Sequence, residues 1–247
     1  MSAPRPISGY DGPELYEAAG FAHYLYTKGE GPAVVVMHEL PGLTVECRNL
    51  CDMIADAGYR VYLPLMFGKP ETTSMLGNTY RVCVSKEFRL FAADETSPIV
   101  DYMKALTKRA HAECGGPGVG VIGMCLTGNF VLSLFTEPEV IAPVACQPSM
   151  PLFNKAALHM TQADLATVKA RATEMGPASI IGFRYKKDPL CAAAKFERLR
   201  AEFGEGFDGT EFDGGVKHST LTDHRHPDAM AKTLDFFSQK LRAAPAA

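Results

Sequence analysis

The feature of this 247-residue chain that most restricts its fold is a buried strand followed by a turn of small residues and a helix. Residues 119–135 read VGVIGMCLTGNFVLSLF, in which an apolar strand runs into the turn GMCLTG and then into an apolar helical segment. In an α/β fold, a parallel strand ends at the edge of the sheet and a helix returns across its face. The segment therefore predicts one such unit.

Other parts of the chain repeat this alternation of strands and helices. We predict strands at 21–28, 33–38, 60–64, 119–123, 140–146 and 178–183 and a strand-like segment at 206–214. Helices are predicted at 45–57, 126–135, 163–175, 192–203 and 226–241, with a long polar, helical region at 67–113. Such alternation indicates a mainly parallel, doubly wound sheet with helices on both faces. No linker or repeat divides the chain, so we expect a single domain over residues 1–247.

Composition restricts the class of partner. The net charge is −3 and Lys and Arg form no run, which argues against nucleic acid and anionic membrane surfaces as partners. No apolar stretch approaches the roughly 20 residues of a membrane span, and the first 20 residues lack the apolar core of a signal peptide. We therefore expect a cytoplasmic protein, monomeric or a small homo-oligomer, that acts on small molecules.

The cysteines point to reduced thiols. There are seven, an odd number, and they are scattered without a CxxC pair. Cys125 stands out because it lies in the turn between strand and helix, in the layout of a G-x-S-x-G nucleophile elbow with cysteine for serine and the second glycine one place late. There a helix N-terminus would favour the thiolate, and the Leu126 amide would face a developing oxyanion. The alternative is an ordinary buried cysteine at a strand–helix junction.

A cysteine nucleophile needs a base and an acid that orients the base. In hydrolases with such an elbow the chain order is nucleophile, acid, histidine. Asp188 follows the strand at 178–183 and fits the acid, while His218 precedes the last helix and fits the base. Spacing alone does not exclude the neighbouring candidates Asp208, Asp213, Asp223, His224 and His226.

Three histidines and an aspartate within residues 218–226 (HSTLTDHRH) also suggest a metal site. The spacing matches neither structural zinc, which usually takes thiolates, nor the common catalytic zinc motifs. We therefore expect no metal there and interpret the segment as a solvated, polar loop before the last helix.

Glu39 lies at the end of the strand at 33–38, in the segment HELPGL. Hydrolases with an elbow place an oxyanion donor in this loop, which would be the amide of Leu40. Glu39 could accept the proton of the thiol when substrate binds. Alternatively, it is a hydrogen-bonded loop carboxylate or the partner of an arginine.

Together these segments resemble the dienelactone hydrolase family of the α/β-hydrolase superfamily. The similarity lies in HELPGL with the helix and strand after it, in GVGVIGMCLTGNF, in KKDP and in the histidine loop with the closing helix, and it covers most of the chain. It implies a triad of Cys125, His218 and Asp188 with Glu39 beside the thiol, hydrolysing an enol-lactone or related ester without metal or cofactor. It also implies Leu40 and Leu126 as oxyanion donors.

The chain departs from that pattern at the substrate-binding positions. Members that act on carboxylate-bearing lactones look to have an arginine four residues after the histidine, where this chain has Thr222. The other candidates for a substrate-binding role are Arg81, Arg89 and Arg225, together with Gln147 in the loop after the strand at 140–146.

Two other functions remain open. One is a thiol esterase or thioesterase that uses the same triad on a different ester. The other is a non-catalytic or redox protein of this fold, in which Cys125 is an oxidisable thiol.

Overall fold

The sheet of the protein has eight strands in the order β1-β2-β4-β3-β5-β6-β7-β8. The structure is a computed structural model that describes residues 3–78, 88, 95–149 and 155–242. The strands are β1 (Asp11–Ala18), β2 (Phe21–Lys28), β3 (Ala33–Met37), β4 (Arg60–Leu65), β5 (Val119–Met124), β6 (Val140–Cys146), β7 (Ile180–Tyr185) and β8 (Phe207–Phe212). The pairs β1–β2 and β2–β4 are antiparallel, and the remaining pairs are parallel.

The register of the parallel strands brings their carboxyl ends to one edge. Met37 of β3 pairs with Gly123 of β5, and Met124 of β5 pairs with Cys146 of β6. The loops that follow neighbouring parallel strands therefore meet at this edge, which is where open α/β sheets bind their ligands.

Helices cover both faces of the sheet, as the sequence pattern predicts. Alternate residues of β3 lie in two separate apolar clusters, Val34 and Val36 in one and Val35 and Met37 in the other. The second cluster includes residues of the helices α2 (Ile99–Cys114), α3 (Phe130–Leu134), α4 (Gln162–Met175) and α5 (Ala193–Phe203). The first includes residues of α1 (Val45–Asp56) and of the C-terminal helix, α6 (Pro227–Leu241).

Local sequence explains several helix starts. The hydroxyl groups of Thr44 and Thr161 each accept a hydrogen bond from an amide in the first turn of α1 and α4. Pro227 occupies the first turn of α6, where its missing N–H is no loss. No helix in the described parts of the chain is long and apolar enough to cross a membrane.

The structure departs from the sequence prediction in three places. β1 was not predicted, because it is largely exposed and contains glycine, proline and acidic residues, which are uncommon in strands. The strand predicted at 178–183 lies at 180–185. The helix predicted at 126–135 begins instead as a 3-10 helix at Cys125–Asn129, followed by the short α3.

Candidate active site

Cys125 lies where β5 turns into the 3-10 helix, and its backbone φ is 57°. A residue with a side chain adopts this left-handed conformation only at a cost of about 1–2 kcal/mol. Close approaches require glycine on both sides of Cys125, within the turn at Gly123 and against the neighbouring strand at Gly128. A Cβ on Gly123 would lie 2.3 Å from the Thr127 carbonyl oxygen, and one on Gly128 would lie 2.8 Å from the Cys146 carbonyl oxygen.

Thr127 is the additional residue between Leu126 and the second glycine of the elbow, and its hydroxyl connects two parts of the site by hydrogen bonds. Its hydroxyl accepts a hydrogen bond from the Met124 amide at 2.9 Å and lies 3.0 Å from the Met37 carbonyl oxygen, to which it can donate. Met37 is the last residue of β3, immediately before the segment that carries Glu39. The threonine therefore fixes the nucleophile turn against the loop of Glu39.

The helical segment after β5 has the ten residues that the sequence predicts, but its first half, Cys125–Asn129, is a 3-10 helix and only Phe130–Leu134 is α-helical. The N-terminus of a helix can stabilise a thiolate. A specific hydrogen bond to the sulfur is also present. The Ser149 hydroxyl donates to the Cys125 sulfur at 3.2 Å, and the Ser149 amide donates to the Cys125 carbonyl at 3.0 Å.

Asp188 follows β7, and its carboxylate is fully buried. One oxygen, Oδ1, accepts hydrogen bonds from the amides of Leu190 at 2.8 Å and Cys191 at 3.0 Å. The other, Oδ2, lies 2.7 Å from Nδ1 of His218. The structure thus brings together the acid and the histidine that the chain order suggests, and it fixes which carboxylate oxygen faces the ring.

The other ring nitrogen of His218, Nε2, is buried and has no hydrogen-bond partner among the described residues. Burial acts to lower the pKa of His218, but the hydrogen bond to Asp188 and the nearby Cys125 sulfur outweigh it and raise the pKa to about 10. The imidazole therefore lies between the Asp188 carboxylate and the Cys125 sulfur.

This raised pKa makes the stability of the protein depend on pH. An unfolded histidine has a pKa of about 6.5, so the stabilisation by protonated His218 is complete below about pH 6.5 and is lost as the pH rises towards 10. We expect the free energy of unfolding of the wild type, relative to His218→Gln, to fall by at least about 1.4 kcal/mol over this range, which corresponds to one pKa unit. Urea denaturation at a series of pH values measures the difference.

The control for this measurement is His224→Gln, which removes an exposed histidine from the same loop. Its free energy of unfolding relative to the wild type should not change between pH 6.5 and 10. A constant or growing difference for His218→Gln would contradict the raised pKa.

Glu39 is buried, and both of its carboxylate oxygens are hydrogen-bonded. The Ser219 hydroxyl donates to Oε2 at 2.9 Å, and the Thr222 hydroxyl donates to Oε1. Burial raises the pKa of Glu39, and the two hydroxyl groups and His218 partly oppose this. Thr222, at the position where the resemblance leads one to look for an arginine, thus binds the glutamate and carries no charge.

The segment before Glu39 is held by His38, which is fully buried. Its Nε2 accepts a hydrogen bond from the Met66 amide at 3.1 Å, so the protonated Nδ1 donates to the Glu39 carbonyl at 3.1 Å. Burial lowers the pKa of His38 to about 4, so the ring is neutral at physiological pH. Met66 and Phe67 also line a cavity of about 970 Å³ at the β1–β2 side of the sheet, whose lining includes no triad residue.

The proposed substrate-binding residues lie in different settings. Gln147 is buried with a φ of 31°, and its Oε1 accepts hydrogen bonds from the Thr220 amide at 3.1 Å and the Thr220 hydroxyl at 2.6 Å. It therefore supports the histidine loop. Arg225 is exposed, and Arg81 and Arg89 lie outside the described residues.

Sequence reasoning missed a buried chain of polar groups behind Cys125. Lys195 of α5 donates to the Asn129 side chain at 2.9 Å, and Asn129 in turn donates to the carbonyls of Leu126 at 3.0 Å and Ser149 at 3.2 Å. Burial lowers the pKa of Lys195 to about 8. A lysine in an apolar stripe of a helix is the one sequence signal that could have pointed to this network.

Comparisons with known proteins identify the family and the fold. The family model described as "Dienelactone hydrolase family" matches residues 21–239. No curated protein matches the chain.

Solved structures show the same fold. A dienelactone hydrolase-like promiscuous phosphotriesterase from metagenomic libraries has a TM-score of 0.67 at 16% identity, covering 92% of this chain and 96% of that one. A proposed dienelactone hydrolase from Klebsiella pneumoniae has a TM-score of 0.65 at 17% identity over 91% and 95%. A lidless α/β serine hydrolase from Xanthomonas campestris has a TM-score of 0.61 at 10% identity over 98% and 100%.

Identities this low show the fold alone, which is that of an α/β-hydrolase. The family rests on the match over residues 21–239, which span every strand from β2 to β8 and all the loops that carry Glu39, Cys125, Asp188 and His218. This chain is therefore a member of the dienelactone hydrolase family.

Proposed function

We propose that the protein is a carboxylic ester hydrolase of the dienelactone hydrolase type, which opens an enol-lactone or a related ester through an acyl-enzyme on Cys125. The observation that carries the proposal is the position of the His218 ring, with Nδ1 2.7 Å from a fully buried Asp188 carboxylate and Nε2 left for the reacting groups near Cys125. Membership of the family supports ester hydrolysis.

The first step is proton transfer from the Cys125 thiol to His218. His218, whose pKa is raised to about 10, accepts this proton and becomes an imidazolium beside the sulfur. Asp188 stabilises the imidazolium, and because it binds Nδ1 it keeps Nε2 directed away from the carboxylate.

The thiolate then attacks the carbonyl carbon of the ester. The oxyanion that forms accepts hydrogen bonds from the amides of Leu40 and Leu126, each worth about 3 kcal/mol in such sites. The carbon–oxygen bond of the ester breaks, and the imidazolium of His218 gives its proton to the leaving oxygen, or to the enolate when the substrate is an enol-lactone.

Hydrolysis of the acyl-enzyme uses the same histidine as a base. His218 has given its proton to the leaving oxygen in the first half of the cycle, so the neutral ring is available to take a proton from water. Hydroxide adds to the thioester, the carbon–sulfur bond breaks, and the acid leaves while the thiolate–imidazolium pair forms again.

Glu39 is proposed to hold the histidine loop during this cycle. Its carboxylate binds Ser219 and Thr222, which lie in the loop that carries His218. Its pKa is raised by burial, so Glu39 is also the alternative acceptor of the thiol proton in place of His218. In that alternative, one of the two hydroxyl groups must release the carboxylate when substrate binds.

The experiment that tests the proposal is a comparison of substrates at one pH. Purified protein is offered a dienelactone, an aryl ester of a short acid, an acyl thioester and a phosphotriester, and the acyl-enzyme is sought by intact-protein mass spectrometry after rapid acid quench. We expect turnover of the lactone or the aryl ester and an added acyl mass on the peptide that contains Cys125.

The outcomes separate the alternatives. Efficient turnover of the thioester alone would identify a thioesterase that uses the same triad. Absence of turnover with all four substrates, combined with reversible oxidation of Cys125 by hydrogen peroxide, would favour the redox protein instead.

A further inference from the structure

We propose that Ser149 is a catalytic residue, whose hydroxyl stabilises the thiolate of Cys125 by donating a hydrogen bond to the sulfur. The inference deepens the proposed function and rests on it. Ser149 lies in the loop after β6, the strand that pairs with β5, and the hydroxyl is 3.2 Å from the sulfur.

The direction of this hydrogen bond follows from the surroundings of the two groups. The Ser149 residue is 4% exposed, and its hydroxyl has no other hydrogen-bond partner in the described parts of the chain. A buried hydroxyl that meets a thiolate can only donate to it, and bonds to charged acceptors are about twice as strong as neutral ones.

Ser149 is held in place from two sides. Its amide donates to the Cys125 carbonyl at 3.0 Å, and its own carbonyl accepts from the Asn129 side chain at 3.2 Å. Asn129 is oriented in turn by the buried Lys195 ammonium, which binds its Oδ1 at 2.9 Å. Asn129 and Lys195 are therefore positioning residues for Ser149.

The hydrogen bond adds a specific group to those that act on the sulfur. The segment after Cys125 begins as a 3-10 helix, Cys125–Asn129, and continues as α3. Two side chains in the described parts of the chain face the sulfur, the ring of His218 and the hydroxyl of Ser149.

The test is the pH dependence of Cys125 alkylation by iodoacetamide, followed by peptide mass spectrometry. This rate reports the thiolate directly and requires no ester substrate. In Ser149→Ala we expect the midpoint of the profile to move up by about one pH unit, as removal of one charged hydrogen bond predicts. At pH values below both midpoints the alkylation rate then falls about tenfold.

The matched control is Ser179→Ala, which removes another buried hydroxyl with hydrogen bonds to carbonyls, those of Ala172 and Gly206 at 3.4 and 3.2 Å. Ser179 immediately precedes β7, at the amino end of the strand and away from Cys125, so its alkylation profile should match the wild type. Thermal unfolding of both variants shows that they are folded.

A second variant keeps the test decisive if Ser149→Ala does not fold. Lys195→Met keeps the length of the side chain but removes the group that orients Asn129, and its profile should move in the same upward direction by a smaller amount. An unchanged profile in the folded Ser149→Ala protein would overturn the proposal, because the hydroxyl would then not stabilise the thiolate. A shift to lower pH would also overturn it, because the thiol would then donate to the serine.

This outcome is separable from that of the proposed function. If the wild-type protein hydrolyses none of the esters but the alkylation profile moves, the hydrogen bond to the sulfur stands and the assigned reaction is wrong. If esters are hydrolysed and the profile does not move, the reaction stands and Ser149 has no part in it.

Discussion

Replacement of Cys125 by alanine is expected to lower kcat/KM for the ester substrate by at least about 10⁴-fold, the size of effect seen when a covalent nucleophile is removed. The position explains why no other group takes over. Cys125 is held with φ of 57° between Gly123 and Gly128, in contact with Ser149 and beside the His218 ring. Steady-state kinetics with an aryl ester measures the loss.

The control for this prediction is Cys47→Ala, which makes the same chemical change at a fully buried thiol on α1. It should leave kcat/KM within about threefold of the wild type, although it removes buried volume and lowers the melting temperature. Retention of ester hydrolysis by Cys125→Ala at the wild-type rate would rule out the acyl-enzyme and leave the non-catalytic alternative.

Replacement of Asp188 by asparagine is expected to cost about 10³- to 10⁴-fold in kcat, because it reverses the proton positions on His218. Oδ1 of Asp188 accepts from the amides of Leu190 and Cys191, so the asparagine carbonyl oxygen takes that place and its NH₂ group faces Nδ1. Nδ1 must then accept, the proton moves to Nε2, and the neutral ring can no longer take a proton from the thiol.

The matched variant is Asp213→Asn, which alters an exposed carboxylate that pairs with Lys186 at 2.8 Å. It also tests one of the alternative acids that the chain order left open. We expect unchanged kcat for Asp213→Asn. Equal losses in the two variants would show that Asp188 does not orient the histidine.

The fold was largely predictable from the sequence because its core strands are short apolar runs. β3 and β6 were located within one residue by continuous buried residues, and the helices α4, α5 and α6 by their apolar spacing.

The site was predictable only where its geometry is local. The glycine at 123 indicates a strand–helix turn because a Cβ there would meet the Thr127 carbonyl four residues further on, whereas Gly128 is required by the approach of Cys146 on the neighbouring strand. The partners of Glu39 could not be predicted, since Ser219 and Thr222 lie 180 and 183 residues further along the chain. The contact of Ser149 with Cys125 likewise depends on the pairing of β5 with β6, which no local pattern encodes.

The strand that the sequence pattern did not reveal has a consequence for behaviour at high concentration. β1 pairs antiparallel with β2 on the side of the sheet away from β8, and Glu14 on it accepts two hydrogen bonds from Arg109 of α2, at 2.7 and 2.9 Å. The backbone groups of β2 are thereby occupied within the chain. The outer edge that β1 offers instead carries Pro13, which cannot donate, and an irregular register between Asp11 and Glu14. Such an edge resists the strand-to-strand joining of neighbouring molecules from which aggregates grow.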